Sequence, residues 1–294
     1  MKTIIPELLF EVQNTLGEGP LWHPTQGCLY WVDIEAGDLY QSQPGLQGCS
    51  NTHFDNPLSA FCFTAGGGFI LVTGDGFLAW DGGHSHPSQL WNPLPDRADV
   101  RLNDGKVDPA GRFWAGSMDT KQVKGELYRL DPDGSQHTLL HEIGISNGLG
   151  WSPDRKRMYY TDSLKRTIFT FDYELESGAI HNPRPFIQLP DNEADIVPDG
   201  LCVDDEGCIW SAQWNGWQVV RYDPQGNPLI SVSVPAQRVT SCCFGGDHWD
   251  QLFITTARTG LSEAELRDQP HAGDLFVVQT NTTGQVTNFF GGSR

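Results

Sequence analysis

Positive charge is scarce in this chain. Its 294 residues carry 19 Lys and Arg against 37 Asp and Glu, a formal net charge of -18. Such a surface repels phosphate backbones and anionic headgroups, so neither nucleic acid nor a membrane is an expected partner. Long apolar runs are lacking too, and no segment approaches the length of a bilayer-spanning helix. The apolar stretch in Met1-Lys2-Thr3-Ile4-Ile5-Pro6-Glu7 is too short and interrupted for a secretory signal. Cysteines are few and unpatterned. The seven, at 28, 49, 62, 202, 208, 242 and 243, are odd in number and lack framework spacing, which predicts reduced thiols and a cytoplasmic location. No Gly-x-Gly-x-x-Gly or phosphate-binding loop opens a strand-helix junction.

What is plentiful is Gly, Pro and Trp, with turn signals throughout, a composition that favours many short strands over helices. Six segments share one pattern of apolar strand, turn and second strand. They begin at Leu21, Cys62, Lys106, Gly150, Cys202 and Cys243. Their turns include Pro24-Thr25-Gln26-Gly27, Pro109-Ala110-Gly111 and Asp205-Glu206-Gly207, each able to reverse the chain between antiparallel strands. The apolar residues just before the turns are Trp22, Phe63, Val107, Trp151, Val203 and Phe244, separated by 41, 44, 44, 52 and 41 residues. That is the length of a four-stranded propeller blade. The expectation is an all-β, six-bladed β-propeller forming a single domain over residues 1–294. The leftover strand Leu8-Leu9-Phe10-Glu11-Val12 is expected to complete the last blade and close the ring.

Four residues before each anchor stand Glu18, Ser59, Asn103, Asn147, Asp199 and Thr240, all polar although they precede core strands. Equivalent positions of every blade face one place, so these six should converge near one end of the axis. Glu18, Asn147 and Asp199 supply hard oxygen ligands from three blades, a set suited to one divalent cation: calcium, zinc, magnesium, manganese or iron. Taken singly, each has a simpler reading. Glu18 lies in a Gly-rich turn, and Asn147-Gly148 and Pro198-Asp199-Gly200 read as tight turns. The shared phase favours a site. Arg101 lies two residues before Asn103 on the same side of its strand, where a guanidinium could grip hydroxyls, a carboxylate or an oxyanion, or form a surface salt bridge. Ser59 and Ser146 lack a His in the repeat phase, so a serine-histidine triad is not supported. His23 and the pair Cys242 and Cys243 read as structural.

At these residues the chain resembles the gluconolactonase, regucalcin and luciferin-regenerating-enzyme family of six-bladed propellers. The carriers are Leu16-Gly17-Glu18-Gly19-Pro20-Leu21-Trp22, Arg101-Leu102-Asn103-Asp104-Gly105-Lys106-Val107-Asp108, Ile145-Ser146-Asn147-Gly148-Leu149, Ile196-Val197-Pro198-Asp199-Gly200 and Ser241-Cys242-Cys243-Phe244-Gly245-Gly246, with Thr255-Thr256-Ala257-Arg258. The resemblance implies that Glu18, Asn147 and Asp199 are metal ligands, that Arg101 and Asn103 contact substrate, and that Asp199 is also the base in hydrolysis of a sugar lactone. One departure stands out. Where the family often has a substrate-contacting Glu, this chain has Lys121, which would favour a more anionic substrate. Rival expectations are a metal-binding regulatory protein without turnover, a scaffold for protein partners, and a propeller esterase acting on aryl esters or phosphotriesters.

Overall fold

The computed structural model describes all residues except 43–47, 84, 96, 98, 99, 192, 193, 293 and 294. The described residues form six sheets, five built on four consecutive antiparallel strands and the sixth on the last three strands with one from the N-terminus. The first strands of the sheets are Gly17–His23, Leu58–Phe63, Arg101–Val107, Ser146–Trp151, Val197–Val203 and Arg238–Gly245. Each packs against the first strand of the next sheet, and the sixth against the first, so the sheets close a ring as blades of a propeller.

The second strands, such as Cys28–Asp33, Phe113–Met118 and Ile209–Trp214, are buried along nearly their whole length. They lie between neighbouring blades and are covered on both faces, which is why they are almost continuously apolar rather than alternating. The outermost strands meet solvent. Cys49–His53 is exposed throughout, and Ile180–Gln188 carries two prolines that keep its edge from pairing further.

The ring closes as the repeats predict. Glu7–Phe10 pairs antiparallel with Leu275–Gln279 and supplies the outer strand of the sixth blade. A feature not expected from the repeats is a second N-terminal strand, Lys2–Ile4, which runs parallel to Pro228–Ser233 and adds a fifth strand to blade five. One helix, Glu263–Asp268, occurs among the described residues, opened by a capping box between Ser262 and Glu265.

All six first strands break register at the same place. The irregularities lie between Glu18 and Leu21, Leu58 and Ala60, Leu102 and Gly105, Asn147 and Leu149, Pro198 and Leu201, and Val239 and Ser241. These are the positions of the in-phase polar residues, and a bulge re-aims the side chains it carries. Asn147-Gly148 and Asp199-Gly200 are therefore bulged strand, and the turn reading of both is replaced. Their glycines serve close approach. A Cβ on Gly148 would stand 2.7 Å from the Asp199 carbonyl oxygen, and one on Gly200 would stand 2.2 Å from Ser241 Oγ. Adjacent first strands could not converge so tightly with a larger residue there.

The opposite end of the axis is crossed by the segment after the last strand. Its donors cap the carbonyls of the anchor residues one blade at a time. Thr287 Oγ1 donates to Trp22 O at 2.8 Å, Phe290 N to Phe63 O at 2.8 Å, Asn288 Nδ2 to Val107 O at 3.2 Å and Gln285 Nε2 to Trp151 O at 2.8 Å. In the sixth blade Gly284 packs directly on Phe244. Each carbonyl would otherwise end its strand without a partner.

Candidate active site

The open end of the ring holds a cavity of about 420 Å³ whose lining includes Glu18, Arg101, Asn103, Asn147 and Asp199. Five of the six residues singled out from the sequence thus meet in one place. Lys121 does not. It is exposed in the turn after Phe113–Met118, where Asp119 accepts the backbone N–H groups of Lys121, Gln122 and Lys124, and it is not among the lining residues. Thr240 is in phase but committed elsewhere, its hydroxyl donating to Gly17 O at 2.6 Å. Ser59 is buried and does not line this cavity.

Glu18, Asn103, Asn147 and Asp199 are all buried, and the two carboxylates are short of countercharge. Among the described residues, no Lys, Arg or His forms a salt bridge with either. Glu18 Oε2 accepts from Gly19 N at 2.8 Å. Burial, with the charge of Asp104 adding to it, pushes Glu18 up to about 8, against the smaller pull of the Gly19 N–H, Arg101 and Lys106. Burial, then Glu18 and Asp104, raise Asp199 well above the usual carboxylate range. Two such groups are costly to ionise together unless a cation lies between them.

The Asn147 amide is held in one orientation. Ser163 Oγ donates its only hydrogen to Pro198 O at 2.6 Å, so at its other contact, 3.0 Å from Asn147 Nδ2, it accepts. Asn147 Oδ1 is thereby turned the other way, toward Asn103 Nδ2 at 3.3 Å and the cavity. Asn103 also donates to Ser146 O at 2.7 Å, and its Oδ1 accepts from Arg101 Nη1 at 2.6 Å. The Asn103 side chain thus links Arg101 to Asn147. Among the described residues Arg101 bonds only neutral oxygens, those of Leu102 and Asn103. Burial lowers its pKa, while Glu18, Glu35 and Asp199 raise it.

The donor chemistry fits a hard divalent ion: two carboxylates and one oriented amide oxygen, from three blades, beside an open cavity. Among the described residues no three His, Cys, Asp or Glu side chains cluster as metal ligands, so the set depends on the amide and on water for the remaining positions. Four contributors escaped the sequence reading: Asp104, Ser163, Arg166 and Trp214. Asp104 raises both carboxylates, and the other three line the cavity. Ser163 and Trp214 sit where the second strand of a blade ends, opposite the start of its first strand; Trp214 pairs with Val197 and Asp162 with Ser146. Counting from the turns to those strand ends would have found them.

The fold and the cavity define a class, a six-bladed propeller with an acidic, amide-bearing pocket at one end of its axis. Within that class the chain belongs to the SMP-30/Gluconolactonase/LRE-like family, which it matches over residues 16–258. It is 37% identical over 286 residues to regucalcin of Oryctolagus cuniculus, with 95% of each chain covered. It is also 37% identical over 277 residues to the putative sugar lactone lactonase YvrE of Bacillus subtilis strain 168, covering 93% of this chain and 94% of that one. The crystal structure of a calcium-binding protein, regucalcin from Agrobacterium tumefaciens, superposes with a TM-score of 0.93 at 24% identity, covering 98% of each chain, a likeness of fold.

Proposed function

We propose that this protein hydrolyses a sugar lactone, an aldonolactone or aldarolactone, to the corresponding hydroxy acid in a metal-dependent reaction. One observation carries the reading: two buried carboxylates, without ion-pair partners among the described residues, share a cavity with an amide oxygen locked to face it. The family and the lactonase relative support the reaction class.

Glu18, Asn147 and Asp199 would hold the divalent cation, which supplies Lewis-acid polarisation of the lactone carbonyl and charge stabilisation at its oxygen. Asp199 would take the proton of the attacking water, with the cation keeping this buried carboxyl ionised for the role. Arg101, anchored through Nη1 by Asn103, presents the rest of its guanidinium to the sugar hydroxyls or a substrate carboxylate. Asn103 holds Arg101 and Asn147 in register. A lactone is activated relative to an amide, so no covalent nucleophile is required. Lys121 receives no role in this scheme. The free thiols of all seven cysteines suit a reducing, cytoplasmic setting; among the described residues no helix is long and apolar enough to cross a membrane.

The test is a lactone panel on metal-stripped protein with defined metals restored one at a time. Saturable hydrolysis that vanishes on stripping and returns with metal is the expected result. Undiminished hydrolysis after rigorous chelation would remove the cation from the scheme. Metal binding without turnover on any lactone would leave a regulatory protein instead, and turnover of aryl esters alone an esterase.

A further inference from the structure

The cavity is polar at its floor and apolar along one wall, and the wall contains one aromatic ring. Trp214 lines it together with Leu16, Ile34 and Val197. The indole is only partly buried, and it packs against the cluster that includes Leu16, Ile34 and Ala257. The Arg238 guanidinium lies over the ring, its carbon 4.9 Å from the centroid. Arg238 donates through Nη2 to Gly260 O at 3.1 Å, and its buried Nε has no hydrogen-bond partner, so stacking is what that part of the group does. Arg238 is not a lining residue of the cavity. One face of the indole is therefore covered by Arg238, and part of what the cluster leaves exposed lines the cavity.

We infer that Trp214 is a specificity-determining residue, the platform on which the C–H face of a sugar ring rests while its hydroxyls turn to the polar floor. The inference rests on the lactonase reading and names the part of the substrate that reading leaves unassigned. A sugar ring has an apolar face of C–H bonds and a rim of hydroxyls. Burying that face needs a flat apolar partner, and a rigid, pinned indole provides one at little cost in side-chain freedom. The spacing agrees. Trp214 pairs with Val197, two residues before Asp199 on the same strand. Both side chains line the one cavity, so a ring resting on the indole has the carboxylate within the same space. A substrate seated there would hold its carbonyl near the carboxylates and its ring against the wall.

The experiment compares wild type, Trp214→Ala and Trp214→Phe in the metal-loaded protein. In hydrolysis of glucono-1,5-lactone, Trp214→Ala is expected to raise KM about tenfold with kcat within about twofold, and Trp214→Phe to restore most of the loss. An unchanged KM in Trp214→Ala, or a fall in kcat with KM unchanged, overturns the platform. A second measurement is independent of turnover: calorimetric binding of 1,5-anhydroglucitol, which keeps the ring and hydroxyls but has no carbonyl to attack. Weaker binding to Trp214→Ala than to wild type supports the platform even if no lactone is hydrolysed, in which case only the lactonase reading falls. Equal binding to the two proteins, including none to either, sinks the platform whatever the lactone assays show.

Discussion

Asn147 is oriented by Ser163: the amide Nδ2 donates to the hydroxyl at 3.0 Å, and that hydroxyl is already spent on the Pro198 carbonyl. The hydroxyl of a neighbouring residue thus decides which end of the amide is turned away from it, and so which end is left for a cation. Removing the hydroxyl frees the amide to rotate and present an N–H to the cation. Ser163→Ala should therefore weaken divalent-metal binding by about 10–100-fold, the usual effect of losing a residue that orients a ligand. Calorimetric titration of the metal-stripped protein measures it. Unchanged affinity would mean that Asn147 is not a ligand or is held by other contacts.

Glu18 and Asp199 predict a pH dependence for the metal-stripped protein. Burial and neighbouring charge hold Glu18 near 8 in the folded state, against an ordinary value of 4.5. Between those values the folded protein keeps a proton that the unfolded chain releases, so stability falls as pH rises through the window. Below it both states are protonated and this contribution to the pH slope disappears. Saturating metal should flatten the decline, because the cation favours the ionised form. Urea unfolding at several values from pH 5 to 8, with chelator and with metal, tests this. A metal-stripped protein that gains stability over that range contradicts it.

Glu18→Gln separates charge from shape at the same site. The substitution keeps most of the volume and removes an acid that the metal-stripped fold must hold protonated at a pH where the unfolded chain ionises it. Metal-stripped Glu18→Gln should unfold at a higher temperature than metal-stripped wild type, while gaining little when metal is added. Lactone turnover should be lost in parallel. A variant that is destabilised without metal and stabilised normally by it would argue that Glu18 is structural.

Two blades carry a second kind of buried charge, which is fully paired. Asp108 accepts from the N–H groups of Ala110 and Arg112, from Trp114 Nε1 at 3.0 Å, from Tyr173 OH at 2.8 Å and from Arg112 Nη1 at 3.1 Å. Asp204 repeats the pattern with Glu206, Cys208, Trp210 and Arg221. Asp108→Ala leaves a buried guanidinium without its carboxylate and should cost about 3–5 kcal/mol. Denaturant unfolding reads it, with metal affinity as the control, since Asp108 lies at the far end of its strand from Arg101.

The segment crossing the closed end of the ring gives a sharper steric prediction. A Cβ at Gly284 would stand 2.1 Å from the Cβ of Phe244. Gly284→Ala must push the segment off the sixth blade or displace a core ring, at about 1–3 kcal/mol. Proteolysis after residue 279 should become faster in the variant while metal binding at the opposite end persists. Equal protection in both proteins would show that this strap is not held by that contact.

The spacing of Trp22, Phe63, Val107, Trp151, Val203 and Phe244 by itself determined the blade count, the phase of the strands and the strand that closes the ring. A repeated hydrophobic period is a local property, and identical local units can close only in a few ways. The in-phase polar residues were legible for the same reason, since equivalent positions in a ring share a location. Only the tertiary structure decided the rest. Ser163 and Trp214 reach the cavity from the ends of second strands, which the anchors do not mark, and Arg166 from the turn beyond such an end, so the polar phase of the first strands did not include them. Lys121 sits at a position that resemblance places near substrate, yet Asp119 binds its turn's backbone and the side chain stays exposed. The parallel strand Lys2–Ile4 and the capping of five anchor carbonyls, that of Val203 included, by residues 285–290 depend on groups far apart in sequence finding unsatisfied partners. Hydrogen-bond satisfaction is settled only once the ring has closed and shown which carbonyls remain bare.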